Sequence, residues 1–293
     1  MEKIDLHMHS HHSDDADLPV DDLIARCRAN GIGVLAVTDH NSAASVPEAA
    51  RHHGNGLTVI SGIEIDCTVE GTNFHLLGYG YTPGDDFARV HRNFNALQAS
   101  LVPEKLAKLR ALGFLLDEDE LARLAGDRLP QEEQMGEAIL NDDRNRDHAL
   151  LLPYRSGGAR ADMPLINFYW DFFGRGKPCY VPVTYPAMSE MIALIRDHGG
   201  LPVVAHIGAN IKDDYERTLG AMLDAGVAGI EVFSSYHAPE LTQRLYDFAA
   251  SRNAHVTCGS DFHGRNKPKI EVGQCSYSAS QYAAVRRFVD AVA

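Results

Sequence analysis

The sequence predicts an α/β barrel with an inserted helical subdomain, and three observations carry that expectation. Seven short β-prone runs alternate with segments of helical periodicity, the pattern of a parallel sheet with crossover helices. Seven strands favour a closed or nearly closed barrel over an open doubly wound sheet, and no glycine-rich dinucleotide fingerprint follows any of them. From residue 86 to 176 the rhythm gives way to helix-prone, charge-rich sequence. That stretch is too long to be a plain loop in a compact domain.

In chain order, the first strand is expected over Ile4–His9. A helix follows over Pro19–Asn30, where Leu23, Ile24 and Cys27 recur on one face and Gly31 ends the turn. Further strands are expected over Val34–Thr38, Leu57–Glu64 and Asn73–Tyr79. The insert carries helical periodicity over Leu101–Leu112, Glu118–Leu124 and Glu132–Leu140, then a stretch with glycines and arginines over Tyr154–Asp162. It is expected to sit over one face of the barrel and to contribute to substrate binding. Strands then return over Leu201–Ile207, Gly229–Phe233 and Ala254–Gly259, separated by helices over Met188–His198, Glu216–Ala225 and Glu240–Arg252. The barrel is thus expected from residues 1–85 and 177–293.

Composition narrows the function. The chain has 293 residues and a formal net charge of −13, which argues against a cationic nucleic-acid surface. Fifteen histidines stand against one tryptophan, and histidine is the commonest metal ligand. The five cysteines are scattered, odd in number and form no Cys-x-x-Cys, which argues against a disulfide scaffold or a thiolate zinc site and fits a reducing cytoplasm. No apolar run is long enough to span a bilayer and no signal peptide precedes Ile4, so a soluble cytoplasmic protein is expected.

The histidines and acids fall in a pattern. His7 and His9 alternate along the first strand, so both imidazoles point to one side. Asp14 lies close behind. Asp39-His40 ends the second strand, Glu64 ends the third, and His75 lies early in the fourth. His206 ends the fifth, Ser234 to His237 follow the sixth, and Asp261 and His263 follow the seventh. In a β/α barrel the C-terminal strand ends converge on one mouth where active sites are built. A single histidine there is ordinarily structural, but the set points to a multi-metal site.

These residues resemble the polymerase and histidinol phosphatase (PHP) family of the amidohydrolase superfamily, in particular its small-molecule phosphoesterase branch. The matching motifs are Asp5-Leu6-His7-Met8-His9-Ser10 with Ser13-Asp14, Thr38-Asp39-His40, Gly62-Ile63-Glu64, His75, Val204-Ala205-His206, Gly229-Ile230-Glu231-Val232 and Gly259-Ser260-Asp261-Phe262-His263. They occur in family order and cover both ends of the chain. The resemblance implies a distorted (β/α)7 barrel holding three divalent ions. The first would take His7, His9, Glu64 and Asp261. Glu64 would bridge to a second, bound also by His75 and His206. The third would take Asp14, His40 and His263, with Asp14 chosen because the family's acid directly follows the serine. Imidazole and carboxylate ligands suit Mn²⁺, Fe²⁺ or Zn²⁺.

The chemistry implied is hydrolysis of a phosphate ester, with a cation-activated hydroxide as nucleophile. Asp261 is expected to accept the water's proton, and His206 or His237 to protonate the leaving group. Arg155, Arg160 and Lys177 are candidate phosphate ligands. Many nucleotide-cleaving members carry an Arg-x-His in the insert, where this chain has Glu132-Glu133-Gln134. The expected substrate is therefore a small phosphorylated metabolite, first among them a cyclic phosphate of a phosphorylated ribose. A nucleoside 3′,5′-bisphosphate or histidinol phosphate is the alternative. A metal-dependent amidohydrolase and a non-catalytic binding module are the rivals of other classes. The sequence does not specify an oligomeric state.

Overall fold

The computed structural model describes residues 2–293. The chain forms two compact units: residues up to His91 with Thr184–Gly264 and Ile270–Ala293, and Arg92–Val183 with Arg265–Lys269. The first boundary falls inside a long helix, Asp85–Ala111. Its opening turn belongs to the first unit because Phe87 is buried there, stacked on Tyr81 at 4.4 Å.

The first unit is built on seven strands in the order β1 (Lys3–Asp5), β2 (Ile32–Val37), β3 (Thr58–Val69), β4 (Thr72–Tyr79), β5 (Leu201–Val204), β6 (Gly229–Ser234) and β7 (His255–Gly259). Each pairs with its sequence neighbour. The ring is drawn nearly closed by the segment after β1: Leu6 N–H donates to Cys258 O at 3.0 Å and His9 N–H to Phe262 O at 2.9 Å. A distorted (β/α)7 barrel is the result. β2 shows why: Val34 and Ala36 enter one apolar cluster while Leu35 and Val37 enter another with Leu23, Ile24 and Cys27 of the helix Val20–Ala29. A strand buried on both faces reads as a continuous apolar run.

The sheet is not parallel throughout. β4 runs antiparallel to both β3 and β5. The cause is local: Glu70 (φ 48°) and Gly71 (φ 76°) form a two-residue turn with both residues left-handed, which folds β3 and β4 into a hairpin. A crossover helix, which a parallel neighbour would need, has no room in two residues.

Helices Met188–Asp197, Tyr215–Asp224 and Pro239–Ser251 follow the periodicity closely. A further helix, Ala279–Val292, was not foreseen. Ser278 and Gln281 close a capping box at its start, and Val285, Phe288 and Val289 are buried. The second unit has its own core, including Leu109, Phe114, Leu121, Ile139, Phe168 and Phe172. Its helices Glu118–Ala125 and Glu132–Asn141 lie where expected, and Leu101–Leu112 is the end of the long helix. Among the described residues no helix is long and apolar enough to cross a membrane, and the five cysteines are unpaired.

Candidate metal centre

The ligand candidates meet in the first unit. His7, His9, Glu64 and Asp261 bring one ligand atom each within 4.8 Å of one another, as do Glu64, His75 and His206. Glu64 belongs to both groups through different oxygens. Its Oε2 lies 3.1 Å from His7 Nε2 and 3.2 Å from His9 Nε2, while Oε1 lies 2.8 Å from His75 Nδ1 and 3.0 Å from His206 Nε2. Asp261 Oδ1 completes the first group at 3.3 Å from His7 Nε2 and 3.2 Å from His9 Nε2.

The antiparallel β4 explains His75. Because this strand runs the other way, its beginning lies beside the C-terminal half of β3, and His75 stands directly opposite Asp66. Residues 64 and 66 share a face of β3, so Glu64, Asp66 and His75 converge. At the other side of the ring, a Cβ on Gly259 would lie 2.1 Å from His7 Cβ. Only glycine lets β7 come that close.

A third group holds His9, Asp15, His40 and His263. The acid is Asp15, not Asp14: Asp15 Oδ2 lies 3.1 Å from His263 Nε2 and 3.7 Å from His40 Nε2, whereas Asp14 joins no ligand group among the described residues. The tight turn from Ser10, closed by Ser13 N–H to Ser10 O at 3.0 Å and Ala16 N–H to Ser13 O at 3.3 Å, decides which of the two adjacent acids faces inward.

His237 stands apart from this chemistry. Its Nδ1–H donates to Val232 O at 2.9 Å and its Nε2 accepts Gly208 N–H at 3.1 Å, and burial lowers its basicity. Both nitrogens are committed to backbone, so it cannot hand a proton to a leaving group. Of the three basic candidates in the second unit, Arg160 is bound by Asp171, with Nε 2.7 Å from Oδ2. Lys177 is exposed. Arg155 donates Nη1–H to Leu140 O, while its Nε and Nη2 are buried and make no hydrogen bond to any described residue.

Electrostatics reflect the crowding. Burial alone would raise the Glu64 carboxyl, but the imidazoles of His7, His75 and His40 hold it well below the usual range. Burial would likewise depress His9, yet the Asp261 and Glu64 carboxylates beside its Nε2 lift it to about 9. His7 and His75 rise well above 6.5 for the same kind of reason. For His40 burial wins, and it falls to about 4.

The donor set fits divalent cations. His9 Nε2 is buried and faces two carboxylate oxygens at 3.2 Å, yet makes no hydrogen bond among the described residues, and His40 Nδ1 is buried in the same condition. A bound ion would supply the partner such atoms lack. Oxygen and imidazole donors without thiolate match Mn²⁺, Fe²⁺ or Zn²⁺.

A barrel carrying this imidazole–carboxylate set at its strand ends is the architecture of a metal-dependent hydrolase. The PHP domain matches residues 5–152, and the chain belongs to that family. It is a metal-dependent phosphoric ester hydrolase. The chain is similar to the 3′,5′-nucleoside bisphosphate phosphatase of Chromobacterium violaceum, with 30% identity over 93% of this chain and 91% of that one. It is also similar to a 5′-3′ exoribonuclease of Haemophilus influenzae (28%; 89% and 90%) and to the phosphoribosyl 1,2-cyclic phosphate 1,2-diphosphodiesterase of Eggerthella lenta (27%; 89% and 94%). A solved structure from Bifidobacterium adolescentis, itself named only as a candidate metal-dependent phosphoesterase, shares the fold. Its TM-score is 0.77 at 23% identity, covering 100% of this chain and 97% of that one.

Proposed function

We propose that this phosphoesterase hydrolyses a small phosphorylated sugar or nucleotide, and that its preferred substrate is a cyclic phosphate of a phosphorylated ribose. The observation that carries the site reading is Glu64, whose two oxygens address two separate sets of imidazoles. A carboxylate so placed would bridge two cations. With the group around Asp15, His40 and His263, three ions would be held, Mn²⁺, Fe²⁺ or Zn²⁺. When bound, they lower the pKa of water, neutralise the phosphoryl oxygens and align the attack.

The chain's own side chains supply the rest. Asp261, whose Oδ1 lies beside both His7 and His9, accepts the proton through its other carboxylate oxygen as water forms its bond to phosphorus. As the ester P–O bond breaks, the proton taken up by Asp261 passes to the leaving oxygen, because His206 is engaged as a ligand. The Nδ1 of that residue is buried with no hydrogen bond among the described residues, while its Nε2 faces Glu64. Two esters of a cyclic phosphate are then cut in succession at one site.

The ribose cyclic phosphate ranks first because the segment matching an Arg-x-His in nucleotide-cleaving relatives is otherwise employed here. Glu132 pairs with Lys105 Nζ at 2.7 Å, and Gln134 accepts Gln131 N–H at 2.7 Å to cap its helix. A nucleoside 3′,5′-bisphosphate is the second reading, favoured by the 30% identical relative. The test loads the protein with Mn²⁺, Fe²⁺ or Zn²⁺ and counts ions per chain. Phosphate release is then compared across a ribose cyclic phosphate, nucleoside bisphosphates, histidinol phosphate and short 5′-phosphorylated RNA. Three ions with release from the cyclic phosphate support the proposal. One or two ions with amide cleavage instead would overturn it.

Arg160→Ala should leave KM near wild type and cost at most about 1 kcal/mol of stability, read as a shift in the denaturation midpoint.

A further inference from the structure

His9 is the imidazole on which two ligand groups depend, since it belongs both to the set with His7, Glu64 and Asp261 and to the set with Asp15, His40 and His263. A neutral imidazole offers a lone pair on only one nitrogen, and the proton on the other is placed by whatever that nitrogen meets. Here Nε2 points to the ligand oxygens and Nδ1 lies 2.9 Å from Ser13 Oγ. Ser13 has a single hydroxyl hydrogen. It is directed to Asp39 Oδ1 at 3.0 Å, an oxygen that also accepts Ser10 N–H at 2.7 Å, while Asp39 Oδ2 accepts the Ser10 hydroxyl at 2.8 Å. With its hydrogen so committed, Ser13 Oγ can only accept from His9, as it also accepts His40 N–H at 2.9 Å. His9, Ser10, Ser13 and Asp39 are all fully buried, so water cannot substitute for any member.

We propose that Ser13 and Asp39 are positioning residues that lock His9 in the Nδ1–H tautomer, so that its Nε2 lone pair faces the cation held with His7, Glu64 and Asp261. The inference rests on the cation reading of this site. Asp39 fixes the hydroxyl, the hydroxyl fixes the imidazole proton, and the backbone of His40 is seated by the same oxygen. Losing such an outer contact to a metal-bound histidine typically weakens cation affinity about 10–100-fold.

The test is Zn²⁺ transfer from the loaded full chain to a competing chelator, at equilibrium and as a rate, with thermal melting of the chelator-treated protein alongside. Ser13→Ala is expected to hold Zn²⁺ about 10–100-fold more weakly, with Ser13→Thr, which keeps an accepting hydroxyl, close to wild type. Asp39→Asn is expected to weaken binding in the same direction, and it decides the matter should Ser13→Ala fail to fold. Wild-type affinity in Ser13→Ala or in Asp39→Asn overturns the proposal, as does a loss in Ser13→Thr equal to that in Ser13→Ala. A wild-type protein that takes up no Zn²⁺, Mn²⁺ or Fe²⁺ instead overturns the cation reading beneath it.

Discussion

Glu64→Gln is expected to lose turnover by about two to three orders of magnitude, because cations at such a site contribute several kcal/mol to the transition state and each 1.36 kcal/mol is tenfold in rate. Glutamine keeps the shape of the side chain but offers one neutral acceptor and one amide nitrogen, which cannot ligate. The carboxylate it replaces is fully buried and addresses five imidazoles, His7, His9 and His40 through Oε2 and His75 and His206 through Oε1. Ion content should fall together with activity, measured by elemental analysis of the purified variant and phosphate release. His7→Asn and Asp261→Ala should behave alike, since both touch the first group. A Glu64→Gln protein with a full complement of ions and undiminished turnover would remove the basis for the bridging role.

The second large effect separates two neighbouring acids. Asp15→Asn is expected to lose one ion per chain and about 10²–10³ in kcat, the size of effect seen when a group stabilising transition-state charge is removed. Asp14→Asn, outside every ligand group among the described residues, should keep its ions and stay near wild type in turnover. The reason is placement. Asp15 Oδ2 lies 3.1 Å from His263 Nε2, and the imidazoles of His263, His40 and His9 hold its carboxyl far below the usual range against the opposing pull of burial. Elemental analysis of the two variants side by side decides between them: an ion lost from the Asp14 variant and kept by the Asp15 variant would reverse the assignment.

Much of the site is legible in the sequence. His7, His9, His40, Glu64, His206, Asp261 and His263 could be marked because side chains able to ligate are uncommon at the ends of apolar strands, and here they recur at most of them. His75 was marked too, but its position at the start of its strand made sense only once β4 was found antiparallel. The signal for that reversal was present in Glu70-Gly71, a two-residue turn between apolar runs. Ser278 and Gln281 signalled the C-terminal helix in the same quiet way.

Other features carried no sequence signal. Asp66 lies 3.3 Å from His75 Nε2, yet along the chain it is one acid among many. His237 looked like a proton donor because it follows a strand at the right end. Only its two backbone partners show otherwise.

By itself the sequence determined the kind of chemistry: oxygen and nitrogen donors without thiolate, set at strand ends whose apolar periodicity dictates a barrel. Those properties belong to residue types and local spacing, which the chain carries wherever it folds. The tertiary structure decided which nitrogen of each imidazole faces a carboxylate, which of two adjacent acids turns inward, and which histidine is spent on backbone. Such choices depend on atoms contributed by segments as distant as His7, Glu64, Glu231 and Asp261. Only closure of the ring brings those atoms within about 3 Å, the range over which hydrogen bonds discriminate.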